Sequence, residues 1–89
     1  MSYRVQLSPG ADKFLNKMNA YESKVILKWM YKRLEGCENP RAFGKGLTGN
    51  RSGQWRYRVG DYRLIADIND NEVLILIVDV NHRSKVYKD

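Results

Sequence analysis

The residues best placed for chemistry are arginines at strand-like spacing. In Trp55-Arg56-Tyr57-Arg58-Val59 the polar and apolar positions alternate. A strand turns alternate residues to one face, so Arg56 and Arg58 point the same way, roughly 7 Å apart at about 3.3 Å rise per residue. Guanidinium forks bind phosphate in bidentate fashion and stay charged at any working pH. The spacing suits successive phosphates of an RNA strand. Lys45 and Arg51, in the glycine-rich stretch just before, are further candidates for contact with RNA.

A third arginine, Arg63, follows a tight turn and stands beside Leu64, Ile65 and Ala66. An arginine among apolar neighbours is costly unless it has a fixed partner or task. Pairing with Asp61, Asp67 or Asp79 is one reading, and an anionic ligand is the other. A further cluster, His82-Arg83-Ser84-Lys85-Val86-Tyr87, follows the most apolar run of the chain. Strand ends are common sites for chemistry because a rigid element aims the side chains. His82 is the sole histidine.

Several chemistries are excluded by count or order. One cysteine, Cys37, and one histidine permit neither an internal disulfide nor a Cys/His zinc site. Gly44-Lys45-Gly46-Leu47-Thr48 lacks the order of a P-loop, and no G-x-S-x-G elbow occurs. Asp67, Asp70 and Asp79 are scattered rather than clustered, so a reaction without metal or other cofactor is expected.

The charge supports a polyanionic partner. The 89 residues carry a formal net charge of +6, with a pI near 9.6. Neutralising phosphate releases condensed counterions, which drives basic domains onto nucleic acid. Hydrophobic residues make up 43% of the chain, enough for one core and too few residues for two. One domain over residues 1–89 is expected. The N-terminus has no apolar leader and no run reaches membrane-spanning length, so a cytoplasmic protein is expected.

The elements that position these residues are legible in the patterning. Tyr3, Val5 and Leu7 alternate with Arg4 and Gln6, which marks a strand. Ser8-Pro9 reads as a helix N-cap followed by proline at the first turn. Ala11, Phe14, Leu15 and Met18 share a helical face. After a break at residues 19–21, a second helix is expected from about Glu22 to Leu34. Its apolar stripe would be Val25, Ile26, Trp29, Met30 and Leu34, and Gly36 would end it. Lys24, Lys28 and Lys32 form a stripe best read as a solvated face. Residues 37–54 read as a long loop anchored by Leu47. Trp55–Val59, a Gly60-Asp61 turn, Tyr62–Ile68, a turn at 69–72 and Val73–Val80 complete the chain. The last strand, nearly continuous in apolar residues, is expected to be central and covered on both faces. The class is α+β: an N-terminal strand, a two-helix hairpin, then a three-stranded antiparallel meander. The helix pair covers one face of the sheet and leaves the other for Arg56 and Arg58.

Two stretches resemble the RelE/ParE toxin superfamily. They are Gln54-Trp55-Arg56-Tyr57-Arg58-Val59-Gly60-Asp61-Tyr62-Arg63-Leu64-Ile65 and Val80-Asn81-His82-Arg83-Ser84-Lys85-Val86-Tyr87. The second is similar to the V-G-H-R-x-x-V-Y ending of the RelE-like branch, with Asn81 in place of the glycine. The resemblance implies the toxin of a type II toxin–antitoxin pair that enters the ribosomal A site and cuts mRNA there, inhibiting translation. It implies an antitoxin of RelB- or Phd/YefM-like type that masks or distorts the site. It also implies roles for Arg56 and Arg58, for Arg63, for His82 and Arg83, and for Tyr87. Some relatives use a glutamate ahead of the arginine strand. No carboxylate stands between Asn39 and Gln54 here, and the chain runs only two residues past Tyr87.

RNA cleavage without metal requires deprotonation of the 2′-OH, stabilisation of the phosphorane and protonation of the departing 5′-oxygen. Arg63, with Arg56 or Arg58, is expected to stabilise the developing charge. Tyr87 or His82 is expected to move the proton, and Arg83 to hold RNA or act at the leaving oxygen. Two other functions fit the same elements: a ParE-type inhibitor of DNA gyrase, and a non-catalytic RNA- or ribosome-binding module.

Overall fold

The computed structural model describes residues 1–84. The elements in chain order are β1 (Arg4–Leu7), α1 (Pro9–Lys17), α2 (Ala20–Arg33), β2 (Lys45–Gly46), β3 (Trp55–Val59), β4 (Tyr62–Asn69) and β5 (Leu74–His82). The strands form one mixed sheet in the order β1-β5-β4-β3-β2. β1 runs parallel to β5, and the other pairs are antiparallel. The expected α+β class and the three-stranded meander are present, and β1 closes the sheet on the β5 side. β2, an additional short edge strand, arises inside the stretch expected to be loop.

Local chemistry explains each boundary. Ser8 caps α1 by accepting a hydrogen bond from the Ala11 amide at 3.1 Å, and Pro9 occupies the first turn, where its missing N–H costs nothing. Asn19 caps α2, accepting from the amides of Tyr21 and Glu22. The helix therefore starts at Ala20, two residues before the expected Glu22. Asn19, expected to belong to a break, is the residue that begins the helix. Gly36, just beyond α2, has a φ of +79°, a conformation that costs a residue with a Cβ.

The core lies between the helix pair and one face of the sheet. Ala11, Leu15, Ile26, Met30 and Leu34 meet Val5, Tyr57, Leu64, Ala66, Ile75, Ile77 and Val80. Truncating one such side chain to alanine typically costs about 2–5 kcal/mol. Val25, expected in the stripe, is 43% exposed; the α2 residues with least exposure are Ile26 and Met30. β5 is interior to the sheet, yet only its helix-facing residues are fully buried. Leu74 and Leu76, on the opposite face, are half-buried. The expectation of cover on both faces is corrected accordingly.

The stretch between α2 and β3 is pinned rather than loose. Tyr57 Oη donates to the Pro40 carbonyl at 2.7 Å, and Trp55 Nε1 donates to the Phe43 carbonyl. Leu47 is buried, as expected for an anchor, and like Ile65 it lies outside the helix-covered core cluster.

Candidate functional site

The sheet register brings the basic residues together. Arg58 pairs with Arg63, which in turn pairs with Asn81. In the adjacent row of the same face, Lys45 pairs with Arg56, Arg56 with Ile65, and Ile65 with Asp79. Directly paired residues share a face, and so do alternate residues along a strand. Lys45, Arg56, Arg58 and Arg63 thus form one basic patch on the face away from the helices. Gly44, Lys45, Arg56 and Arg58 line an open groove of about 330 Å³. Arg56 and Arg63 are half-buried and Arg58 is exposed.

Gly44 makes the patch possible. Its φ is +70°, and a Cβ there would fall 2.0 Å from the Arg56 carbonyl oxygen. A Cβ at Gly46 would press on the Trp55 ring at 3.2 Å. These two glycines let the chain lie against β3 and set Lys45 opposite Arg56. The Gly-Lys-Gly run, which fails as a P-loop, is the sequence signal for this close approach.

Arg51 reaches the same face by another route. It ends a short 3-10 turn at Gly49–Arg51, contacts Asp79 at 3.6 Å and donates to Gln54 Oε1 at 3.2 Å. Gln54 in turn donates to Asp67 at 3.2 Å. The carboxylate of Asp79, weighed from the sequence as a partner for Arg63, ends the Lys45-Arg56-Ile65 row and so lies on the arginine face, within 3.6 Å of Arg51.

Arg83 stands at the end of the patch beside the β3–β4 turn. Its amide donates to the Asp61 carbonyl at 2.7 Å, and its Nε lies 3.4 Å from Asp61 Oδ1. The Arg83 side chain is 71% exposed, so it stays open to a ligand.

His82 is placed elsewhere. It pairs with Tyr62, on the side of the sheet that carries the helices, while Arg63 and Asn81 point to the other side. His82 and Arg63, expected to serve one reaction, therefore lie on opposite faces of the sheet. The cause is the two-residue period of β5: adjacent residues cannot share a face. Tyr87 lies outside the described residues.

Two tyrosines are held in the protonated form and so are unsuited to act as the base. Burial pushes the Tyr57 phenol well above its ordinary value. The hydrogen bond to Glu22 raises that of Tyr62. Neither lies on the arginine face.

A second groove, of about 480 Å³, opens on the helix side of the molecule. Leu15, Met18, Leu27 and Tyr31 give it an apolar floor, and Lys24 and Lys28 stand at its rim. No helix among the described residues is long and apolar enough to cross a membrane.

Comparison with known proteins assigns this arrangement of sheet and helices to a family. The model of the ParE toxin of the type II toxin–antitoxin system parDE matches residues 5–87. The chain belongs to that family, within the RelE/ParE superfamily that its two C-terminal motifs resemble, and is a toxin of the type II toxin–antitoxin class. It is 27% identical to Toxin RelG of Mycobacterium tuberculosis over 99% of both chains. Its fold matches the toxin–antitoxin complex RelBE2 of M. tuberculosis with a TM-score of 0.83 and 26% identity, covering 96% of this chain and 95% of that one. It also matches the archaeal RelE–RelB complex of Pyrococcus horikoshii with a TM-score of 0.70 and 28% identity, over 97% of this chain and the whole of the other.

Proposed function

We propose that this toxin is a ribosome-dependent endoribonuclease that cuts mRNA in the ribosomal A site without a metal ion. The observation that carries the reading is the patch of Lys45, Arg56, Arg58 and Arg63 on one rigid sheet face. Lys45, Arg51, Arg56 and Arg58 hold the RNA backbone. Arg63, half-buried and central, stabilises charge on the phosphorane; one prearranged donor of this kind contributes roughly 3–4 kcal/mol. In the reaction the 2′-oxygen bonds to phosphorus as its proton leaves, and the bond from phosphorus to the 5′-oxygen breaks as that oxygen is protonated. Tyr87, as its phenolate, takes the first proton, and Arg83 donates to the leaving oxygen. The products are a 2′,3′-cyclic phosphate, or the 3′-phosphate from its hydrolysis, and a 5′-OH.

The partner is a cognate antitoxin, a reading supported by the RelB–RelE pairing in the complexes similar to this chain. The apolar groove with its lysine rim fits an acidic amphipathic segment of such a partner.

The test is to add purified protein to programmed ribosomes and map the mRNA ends. A-site cuts with the products above are expected; intact mRNA at saturating protein overturns the nuclease. A gyrase-directed toxin is the second reading, favoured by the ParE description of the matching family. It requires gyrase-dependent DNA damage with translation intact.

A further inference from the structure

We infer that His82 is a positioning residue, not a proton-transfer residue: its ring builds the turn that presents Arg83 at the end of the basic patch. Its Nδ1 accepts a hydrogen bond from the Ser84 amide at 3.2 Å and lies 3.0 Å from Ser84 Oγ. An amide N–H can only donate, so Nδ1 is the acceptor and the proton of the neutral ring sits on Nε2. This side-chain-to-amide bond two residues on is the geometry by which Asn and Asp stabilise turns.

The ring is held from its other side as well. It meets Tyr62 edge-on, with centroids 5.2 Å apart and an interplanar angle of 85°. Tyr62 Oη is bonded to Glu22 of α2, so a chain of contacts runs from the helix pair through Tyr62 and His82 to Ser84. Between the two residues of the turn stands Arg83, its amide bonded to the Asp61 carbonyl and its Nε 3.4 Å from Asp61 Oδ1. The charged groups on the elements around the ring are Glu22, Asp61 and Arg83. The same strand alternation that puts Asn81 beside Arg63 points His82 away from it. His82 thus acts on the patch through Arg83.

The catalytic consequence rests on the proposed nuclease activity; the turn itself does not. Three variants separate the roles. His82→Asn keeps an acceptor at the Nδ1 position, His82→Gln moves it outward, and His82→Ala removes it. Hydrogen exchange of the Ser84 amide is followed together with mRNA cleavage on programmed ribosomes across pH. Loss of one such bond is expected to speed Ser84 exchange by about tenfold in the Ala and Gln variants, and to slow cleavage by a similar factor. His82→Asn is expected to restore both to within about threefold, with a pH–rate profile of unchanged shape. Cleavage lost in His82→Asn as in His82→Ala, with Ser84 still protected, overturns the inference in favour of the ring as a proton carrier. Ser84 exchange unchanged in His82→Ala overturns it outright. A wild-type protein that leaves mRNA intact sinks the nuclease reading instead, and Ser84 exchange still decides the turn.

Discussion

Arginines at the two ends of β4 are used in opposite ways. At the β4–β5 turn, Arg41 grips Asp70 in bidentate fashion at 3.0 and 3.2 Å, and Tyr3 Oη adds a third bond to the same carboxylate at 2.6 Å. The hydrogen bonds from Arg41 and Tyr3 hold the Asp70 carboxyl below its ordinary value. That cluster ties the segment before β1, the stretch after α2 and the β4–β5 turn together. At the other end, Arg56 and Arg58 share a face with Lys45 and Arg63, and no ion pair holds either of them among the described residues. One end spends its arginine on structure. The other gathers Lys45, Arg56, Arg58 and Arg63 on one face with the Asp79 carboxylate among them, and the excess of positive charge there favours an anion. The lesson is that an arginine's task is read from its neighbours in register, not from its type.

Substitutions at the two ends separate these roles. The largest effect is expected for Arg63→Ala. Removing a central donor should slow mRNA cleavage by about 100- to 1,000-fold, measured in single-turnover reactions on programmed ribosomes; cutting at the wild-type rate removes Arg63 from its role. Next is Gly44→Ala. The methyl group must displace the Arg56 carbonyl or unpair β2, and the positive φ adds strain, so a loss of at least about 2 kcal/mol is expected in denaturant unfolding. A variant as stable as wild type contradicts the need for close approach at this edge.

The smallest effect is expected at the structural end. Asp70 titrates lower in the folded chain than in the unfolded one. Its contribution is therefore present above the unfolded value, about 3.9, and is lost as the pH falls through the folded value. Asp70→Asn should lower the unfolding midpoint at neutral pH, and the gap to wild type should close in acid. A gap independent of pH contradicts the assignment. The variant should still cut RNA.

Much of this contrast was legible in the sequence. Alternation in Trp55–Val59 and the Gly60-Asp61 turn were enough to put Arg56 and Arg58 on one face and Arg63 across the turn. Ser8-Pro9 announced the first helix. Two kinds of information were not legible. Register between distant strands decides that Asp79 joins the basic face and His82 leaves it, and a β-bulge between Ile65 and Ala66 shifts that register partway along the pair. A two-residue strand such as Lys45–Gly46 has no period to read; only its flanking glycines hint at it. Val73, a good strand former, sits instead in the turn with φ of +55°, because the Asn69 side chain bonds the Glu72 amide and closes the turn there.

The charge itself was distributed differently from the simplest expectation. Residues 9–33, the helix pair, hold six basic and two acidic residues, four of the six net charges. Net charge alone therefore did not locate the basic sheet face; strand alternation and register did.

The most direct measurement compares two variants on programmed ribosomes: Arg56→Ala/Arg58→Ala from the open end and Arg41→Ala from the structural end, both confirmed as folded. The first is expected to cut mRNA at least about 100-fold more slowly than wild type, and the second to stay within about threefold. Equal losses, or a larger loss in Arg41→Ala, would contradict the claim that the arginines of β3 hold the RNA.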